Sequence, residues 1–358
     1  METAHGTLVH LEERRLATRH GEFRAHLFHD CGAGRLAVAL LRGDVRGPEP
    51  LLARVHSSCT TSEIYGACDC DCAEQLDAAL RAIAREGRGA LFYLMQEGRG
   101  AGFGAKARDR MWVQASRQRL TTFEAYERMG LGGDQRRYEP VAFARRLLEI
   151  GAPLRLLTNN PDKLAAVEAA KVPVVGALPL RRRPQPFNSH YLDSKSRSGH
   201  DLGRAGDGRA AELPEEVVAF EPHALPGLPR LVRLASYLLP IRLPGGPPCW
   251  FRLHLYLDRA AQAERVVLTH GPSAHPQPLR CVQREPLFER FALPARAAAE
   301  RRRWRAAARA MVRRGAGCAV FLPLEPGPSE APARGPARPD EVAALLLAHH
   351  RGGEAAAG

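Results

Sequence analysis

The tightest constraint on this chain is a cluster of cysteines: Cys59, ten residues, Cys70, one residue, Cys72. Three thiolates suit zinc, a borderline-soft ion that prefers four tetrahedral ligands. Three protein ligands leave the fourth position open, which is the catalytic rather than the structural pattern. A zinc ion so held lowers the pKa of water to about 7. Cys68 lies in the same run, Cys68-Asp69-Cys70-Asp71-Cys72, and is a spare thiol that would close the site as a fourth ligand. Eight cysteines in 358 residues are too few for a disulfide scaffold. Met1–Arg15 carries charges without an apolar segment, so no signal peptide and a cytoplasmic location are expected. No run of eighteen apolar residues predicts a membrane span.

The first 200 residues alternate strand and helix signals. Arg35–Leu41, Leu51–Val55, Ala90–Leu94, Leu154–Leu157 and Pro173–Val175 read as strands. Ala73–Arg85 places Leu76, Ala79, Leu80 and Ile83 on one helical face and stops at Gly87 and Gly89. Pro140–Ile150 and a segment from Asn160-Pro161 through Ala170 read as two more helices. The alternation predicts an α/β or mixed α+β domain over residues 1–204. Residues 205–230, rich in glycine, proline and acids, read as a linker. Residues 327–358 read as a low-complexity tail with a short helix at Asp340–His350.

Between linker and tail, residues 231–326 read as a degenerate repeat of the first domain. Phe23–Phe28 recurs as Phe251–Tyr256, Asp30 as Asp258, and Ala79–Ile83 as Ala307–Met311. Gly87, Gly89 and Glu97 recur as Gly315, Gly317 and Glu325, all 228 positions apart. None of the Cys59–Cys72 cysteines has a counterpart there.

The net charge is +13, carried almost wholly by arginine, since the only lysines are Lys106, Lys163, Lys171 and Lys195. A basic chain favours polyanionic ligands, nucleotides among them. No basic stripe interleaved with aromatics is present, and nucleic acid is not an expected partner. After the strand at Ala90–Leu94 comes Gln96-Glu97-Gly98-Arg99-Gly100-Ala101-Gly102. A glycine-rich turn there lets backbone amides approach an anion, with Arg99 adding charge.

Taken together, these residues resemble the GTP cyclohydrolase II family, from about Gly6 to Leu202. The motifs are Leu52-Ala53-Arg54-Val55-His56-Ser57, the cysteine triplet, Gln75-Leu76, Gln96-Glu97-Gly98-Arg99 and Asp134-Gln135-Arg136. They continue with Leu156–Lys163 and His190-Tyr191-Leu192 through Gly199-His200. The resemblance implies one zinc on Cys59, Cys70 and Cys72, and magnesium on the triphosphate. It implies water attack at C8 of the guanine of GTP, opening of the imidazole ring, loss of formate, and release of pyrophosphate. It assigns Asp134 as proton acceptor and Arg136 as nucleophile toward the α-phosphate. The alternative is that Arg136, normally always protonated, only stabilises phosphate charge. Gln75 and Glu97 match residues that read the guanine edge. Arg54, Val55, His56, Ser57 and Ser58 match a nucleotide-contacting stretch. Gly98, Arg99, Thr122, Thr158 and Lys163 match further nucleotide contacts, mainly to phosphates.

Several positions depart from the family. Its tyrosine in the helix after the glycine-rich turn falls on Arg110, with Met111 beside it; this predicts a product that keeps the formyl group. Asp69 stands where the family has arginine, and Ser62-Glu63 where it has Gly-Asp. Two rival readings remain open: a hydrolase of the same superfamily acting on another purine or pyrimidine nucleotide, and a non-catalytic nucleotide-binding regulator. The family forms homodimers, so the degenerate repeat reads either as an intramolecular stand-in for the second protomer or as an added lobe within a homodimer.

Overall fold

Two strands with almost no exposed residue organise the first lobe: β4 (Leu51–Ser57) and β5 (Gly89–Leu94). Near-continuous apolar runs such as Ala90-Leu91-Phe92-Tyr93-Leu94 suit a strand covered on both faces. The computed structural model describes residues 6–180, 184–197, 199–202, 210–271, 279–284, 290–291, 293–294, 298–322 and 339–350.

β1 (Leu8–Thr18), β2 (Gly21–Asp30) and β3 (Arg35–Arg42) form an antiparallel meander that continues antiparallel onto β5. β4, β6 (Leu154–Leu157) and β7 (Val174–Leu178) extend the sheet in parallel, giving the order β1-β2-β3-β5-β4-β6-β7. The sheet is therefore mixed, within the α/β or α+β class that the alternation predicts. α1 (Cys72–Glu86) lays Leu76, Ala79, Leu80 and Ile83 on one face. It ends at Gly87, whose φ of +74° lets its N–H bond back to the carbonyl of Ile83 at 3.1 Å. α4 (Glu139–Leu147) and α5 (Pro161–Ala169) cover the other face through Val141, Ala144 and Val167. α2 (Phe103–Ala115), α3 (Thr122–Arg128) and α6 (Ser189–Arg197) lie beside the sheet.

The second lobe holds β8 (His223–Leu225), β9 (Leu228–Arg242), β10 (Pro248–Asp258), β11 (Ala263–His270), β12 (Leu279–Arg284), α7 (Ala299–Arg314), β13 (Gly317–Leu322) and α8 (Pro339–His349). Its sheet runs β8-β9-β10-β11-β13-β12. Apart from β8, this is the order β1-β2-β3-β5-β4 again. Arg24 pairs with Leu41 and Asp30 with Arg35; 228 positions on, Arg252 pairs with Thr269 and Asp258 with Ala263. The parallel pair β12–β13 is set one residue differently from β4–β5.

The expected linker is more ordered than its composition suggests. The β8–β9 hairpin begins at His223, and Val217 is buried in the second lobe's core with Leu213 and Phe220 packed against it. Among its described residues, Pro226-Gly227 form the turn of that hairpin, while Pro229 lies within β9. Residues 203–209 and 323–338, which carry the domain junction and the low-complexity tail, lie outside the described residues. The short tail helix is α8. Among the described residues, no helix is long and apolar enough to cross a membrane.

The lobes exchange segments. A π-turn at Thr61–Tyr65 follows Cys59, and its Ile64 and Tyr65 join a core with Tyr237, Phe251, Trp304 and Phe321 of the second lobe. The Tyr65 ring lies tilted against Phe321 with centroids 4.4 Å apart, and the Trp304 indole donates to the carbonyl of Tyr65 at 2.9 Å. In return, Phe291 is fully buried in the first lobe's core with Leu76, Ile83 and Tyr93, edge-on to Tyr93 at 5.0 Å. Tyr93 and Phe321 are themselves 228 positions apart. Burying one such ring contributes about 1.5–3 kcal/mol. α2 completes the contact: the Gln114 side chain bonds both the N–H and the carbonyl of Leu238, at 2.8 and 2.7 Å.

Candidate active site

β4, β5 and β6 run parallel, and the segments leaving their carboxyl ends line one pocket. His56, Ser57 and Ser58 come from β4, Gln96 and Gly98 from the turn after β5, and Thr158, Asn159 and Asn160 from the end of β6. Open sheets place ligands at this end because crossover loops diverge there. Asn160 caps α5 by accepting from the N–H of Asp162 at 3.0 Å, so that helix's positive end also faces this region.

Cys59, Cys70 and Cys72 lie in the pocket with their sulfurs all within 4.8 Å of one another. Hydrogen bonds from the Cys70 and Cys72 thiols, aided by the Lys106 ammonium 3.1 Å away, hold the Cys59 thiol well below its ordinary range. Three converging thiols, one disposed to be a thiolate, fit a borderline-soft cation such as zinc. Cys68 is not among them. Its thiol donates to the carbonyl of Pro240, 3.4 Å away in the second lobe, and its own N–H bonds the same carbonyl.

The walls are cationic. Arg54 spans from α1 to β6, donating to Gln75 Oε1 and the Leu157 carbonyl, both at 2.6 Å. Burial lowers its guanidinium to about 10. Gln75 passes the chain on to Asp71, which holds Lys195 at 2.8 Å. Lys163 donates to the carbonyl of Val55 at 3.2 Å. Burial, with Arg54, Arg136 and Lys195 close by, pulls its ammonium well below the ordinary lysine range. Arg99 sits at φ +54°, a strained conformation for a side-chain-bearing residue, with its guanidinium 3.6 Å from the Phe123 ring centre. Arg136 lines the pocket and forks onto both oxygens of Asp134. Burial opposes ionisation of Asp134, yet this fork holds its carboxyl below the usual range and raises Arg136.

Four sequence expectations meet a different geometry. The glycine-rich turn spends three of its amides on itself: Gly100 and Gly102 donate to the carbonyl of Glu97, and Ala101 to that of Gly98. What it presents is the Arg99 side chain. Glu97 does not line the pocket, because its carboxylate accepts from Lys106 at 2.7 Å and from the Thr60 N–H and hydroxyl. The Val55 side chain belongs to the core and only its carbonyl serves the site. Asp134 is partly exposed and reaches the pocket through Arg136. The remaining expected residues, Arg54, His56, Ser57, Ser58, Gln75, Gly98, Arg99, Thr122, Thr158 and Lys163, come together.

The pocket also holds side chains that spacing does not single out: Lys106, Asp109, Tyr126, Tyr191, Lys195 and His200. Asp109 is buried with Oδ1 lacking a hydrogen-bond partner, and burial raises its carboxyl to about 6. Burial lowers His200 to about 4. Arg110 faces the pocket, over the Tyr191 ring at 4.7 Å, whereas Met111 is buried in the inter-lobe core. On α2 the sequence signal is helical phase, Lys106, Asp109 and Arg110 sitting three and four apart, while Tyr191, Lys195 and His200 fall in the motif stretch from His190 to His200.

An α/β lobe with such a pocket suits an anionic ligand. Residues 9–179 match the family model described as GTP cyclohydrolase II. The chain is 41% identical over 211 residues to a GTP cyclohydrolase-2 of Pseudomonas putida, covering 58% of this chain and 98% of that protein. It is 40% identical over 198 residues to a GTP cyclohydrolase-2 of Escherichia fergusonii, covering 55% and 98%. It is 41% identical over 201 residues to a riboflavin biosynthesis protein RibBA of Bacillus cytotoxicus, covering 55% of this chain and 49% of that protein. The chain belongs to the GTP cyclohydrolase II family, and it is an enzyme of the hydrolase class.

Proposed function

We propose that this enzyme opens the imidazole ring of GTP by hydrolysis at C8 and releases pyrophosphate. The observation that carries this reading is the convergence of three thiols inside a cationic pocket on a chain of this family. Cys59, Cys70 and Cys72 would hold one zinc. When bound there, zinc supplies the Lewis acidity that makes water a nucleophile at neutral pH. Magnesium accompanies the triphosphate.

The chain's own residues bind and orient. Arg99, Arg136, Lys163, Thr122 and Thr158 serve the phosphates. Arg136 acts as a fixed cation, because both oxygens of Asp134 grip the Nε–Nη2 edge of its guanidinium and strengthen its hold on the proton. That geometry favours charge stabilisation over a covalent phosphoryl–arginine. Gln75, anchored by Arg54 and Asp71, and Glu97 serve the guanine edge. For Glu97 this requires turning away from Thr60 and Lys106. Ser57, Ser58 and the backbone of Val55 and Gly98 complete the nucleotide contacts, with His56 beside them.

A product that keeps its formyl group is favoured by Arg110. A guanidinium paired with Asp69 cannot shuttle a proton as a tyrosine hydroxyl would. The second lobe we read as a degenerate copy of the first, taking a partner's place in an intramolecular pseudo-dimer. The repeated strand order, the shared β-register and the reciprocal insertion of Tyr65 and Phe291 support it. Cytoplasmic action fits the need for reduced thiols. The deciding experiment is the mass of the product formed from GTP by zinc-loaded enzyme with magnesium. A ring-opened pyrimidine 5'-phosphate is expected, and unchanged GTP would refute the reading.

A further inference from the structure

Arg290 belongs to the second lobe yet is buried in the first, with its side chain only 1% exposed. It is delivered there by its neighbour Phe291, whose ring is locked edge-on against Tyr93. Its guanidinium donates to the Tyr93 hydroxyl at 3.1 Å and to the Thr60 hydroxyl at 3.2 Å, and stands 3.6 Å from Glu63 Oε2. Both arms lead to the pocket.

On the first arm, Glu63 is fully buried and accepts from the Tyr93 hydroxyl at Oε2, while Oε1 lies 2.8 Å from His56 Nε2. The contact makes Nε2 of His56 the protonated nitrogen, leaving Nδ1 as a bare acceptor with no hydrogen-bond partner. The ring of His56 stacks on Tyr93 at 5.6 Å and lines the pocket. Burial is the main influence against a proton on it, opposed by the Glu63 contact, and Arg54 and Lys163 on the pocket side reinforce the burial. The Arg301 guanidinium bonds the carbonyl of Glu63 at 3.3 Å rather than its carboxylate. A buried carboxylate needs a compensating cation, and Arg290 supplies one while His56 stays neutral. On the second arm, the Thr60 hydroxyl that accepts from Arg290 donates to Glu97 at 2.7 Å. Glu97 in turn pairs with Lys106, which reaches Cys59 at 3.1 Å.

We propose that Arg290 is a positioning residue for the active site: it balances Glu63 so that His56 stays a neutral imidazole with Nδ1 free, and it pins Thr60 against Glu97. The second lobe thereby works inside the catalytic machinery of the first. The place of the two segments supports this, since Arg290-Phe291 lies 228 positions after Ser62-Glu63. Matching loops of two related lobes thus meet face to face, as at an isologous interface. The catalytic consequence rests on the proposed GTP reaction; the effect on His56 does not.

The test uses full-length, metal-loaded enzyme and two readouts. The first is nitrogen-15 NMR of the histidine rings from pH 5.5 to 8.5, with the His56 signals identified by their loss in His56→Gln. The second is the pH profile and the split between kcat and KM for GTP consumption. In the parent, His56 is expected to remain the Nε2–H tautomer throughout. In Arg290→Gln, it should take up a proton within that range, and kcat should fall at least tenfold. Arg290→Lys should keep His56 neutral and recover part of kcat. Glu63→Gln with Arg290→Gln removes the charge and its partner together and should return His56 to the neutral form. A folded Arg290→Gln with unchanged His56 titration and unchanged kcat overturns the proposal. If Arg290→Gln fails to fold, the double variant decides: folding restored supports charge balance, and failure assigns Arg290 to packing alone and overturns it. Absence of any GTP consumption would sink the function while leaving the NMR result to judge Arg290.

Discussion

Asp69 and Arg110 meet at the pocket's edge, Oδ2 to Nε at 3.6 Å, with both side chains about one-tenth exposed. In sequence they are two unrelated departures from the family pattern. In space they are one charge pair, an anion just before Cys70 facing a cation on α2. Neither charge is affordable alone in so dry a setting. Asp69→Ala or Arg110→Ala should each lose about 2–3 kcal/mol of stability, and the double variant less than the sum. Chemical denaturation of the three variants checks this, and strict additivity would show that the pair is not coupled.

The same pair bears on the proposed product. With a permanently charged guanidinium at position 110, formate release should lag behind GTP consumption and a formylated ring-opened intermediate should accumulate. Coupled formate detection against GTP loss measures it. Stoichiometric release at equal rates would rule the idea out.

Metal content follows the cysteines. One zinc per chain is expected by elemental analysis. Cys70→Ser should lose most of it together with activity, because two thiols and a hydroxyl are a poor set for zinc. Cys68→Ser should retain the metal, its thiol being turned to Pro240. Two zincs per chain, or full occupancy in Cys70→Ser, would contradict the three-thiol site.

Asp109 makes stability depend on pH. Its folded pKa of about 6 lies above the ordinary aspartate value of 3.8, so the folded state holds the proton more tightly. The stability this group contributes is complete below pH 4 and lost as pH rises through 6. About two units correspond to about 3 kcal/mol. Asp109→Asn should therefore change stability little at pH 4 and raise it by up to about 3 kcal/mol at pH 7.5. Melting curves at the two pH values decide, and an equal shift at both would deny the buried carboxyl its role.

Cutting the chain at Arg204 should not leave a working monomer. Ile64, Tyr65, Ala107 and Met111 would lose their cover from Tyr237, Phe251, Trp304 and Phe321. Exposed apolar patches of this kind drive association. Light scattering and activity of residues 1–204 test this, the expected result being dimers, aggregates or lost stability. A soluble, fully active monomer would show that the second lobe is dispensable.

Much of the first lobe was legible because its signals are local. Leu76, Ala79, Leu80 and Ile83 share one face of α1 at helical spacing, and Gly87 stops that helix, so period and cap mark it without tertiary help. The Cys59–Cys72 spacing pointed to metal chemistry, since four thiols in fourteen residues have few alternatives. The linker misled because proline, glycine and acids signal turns equally in packed and in free segments. The glycine-rich turn misled because residue type does not reveal where its amides point. Glu97 looked free because Lys106 is a partner made only by the fold.

The sequence by itself determined most elements of the first lobe, the candidate metal-ligating thiols and the family, all of which rest on short-range spacing and ordered motifs. Tertiary structure alone decided which side chains share the pocket and which are spent elsewhere. It turned Cys68 toward Pro240, set Arg110 rather than Met111 at the pocket, and carried Arg290 across the lobe boundary to Glu63. The physical reason is that burial and charge balance depend on what packs against a residue. For Glu63 and Arg290 the partner lies far along the chain, where no periodicity or motif could announce it.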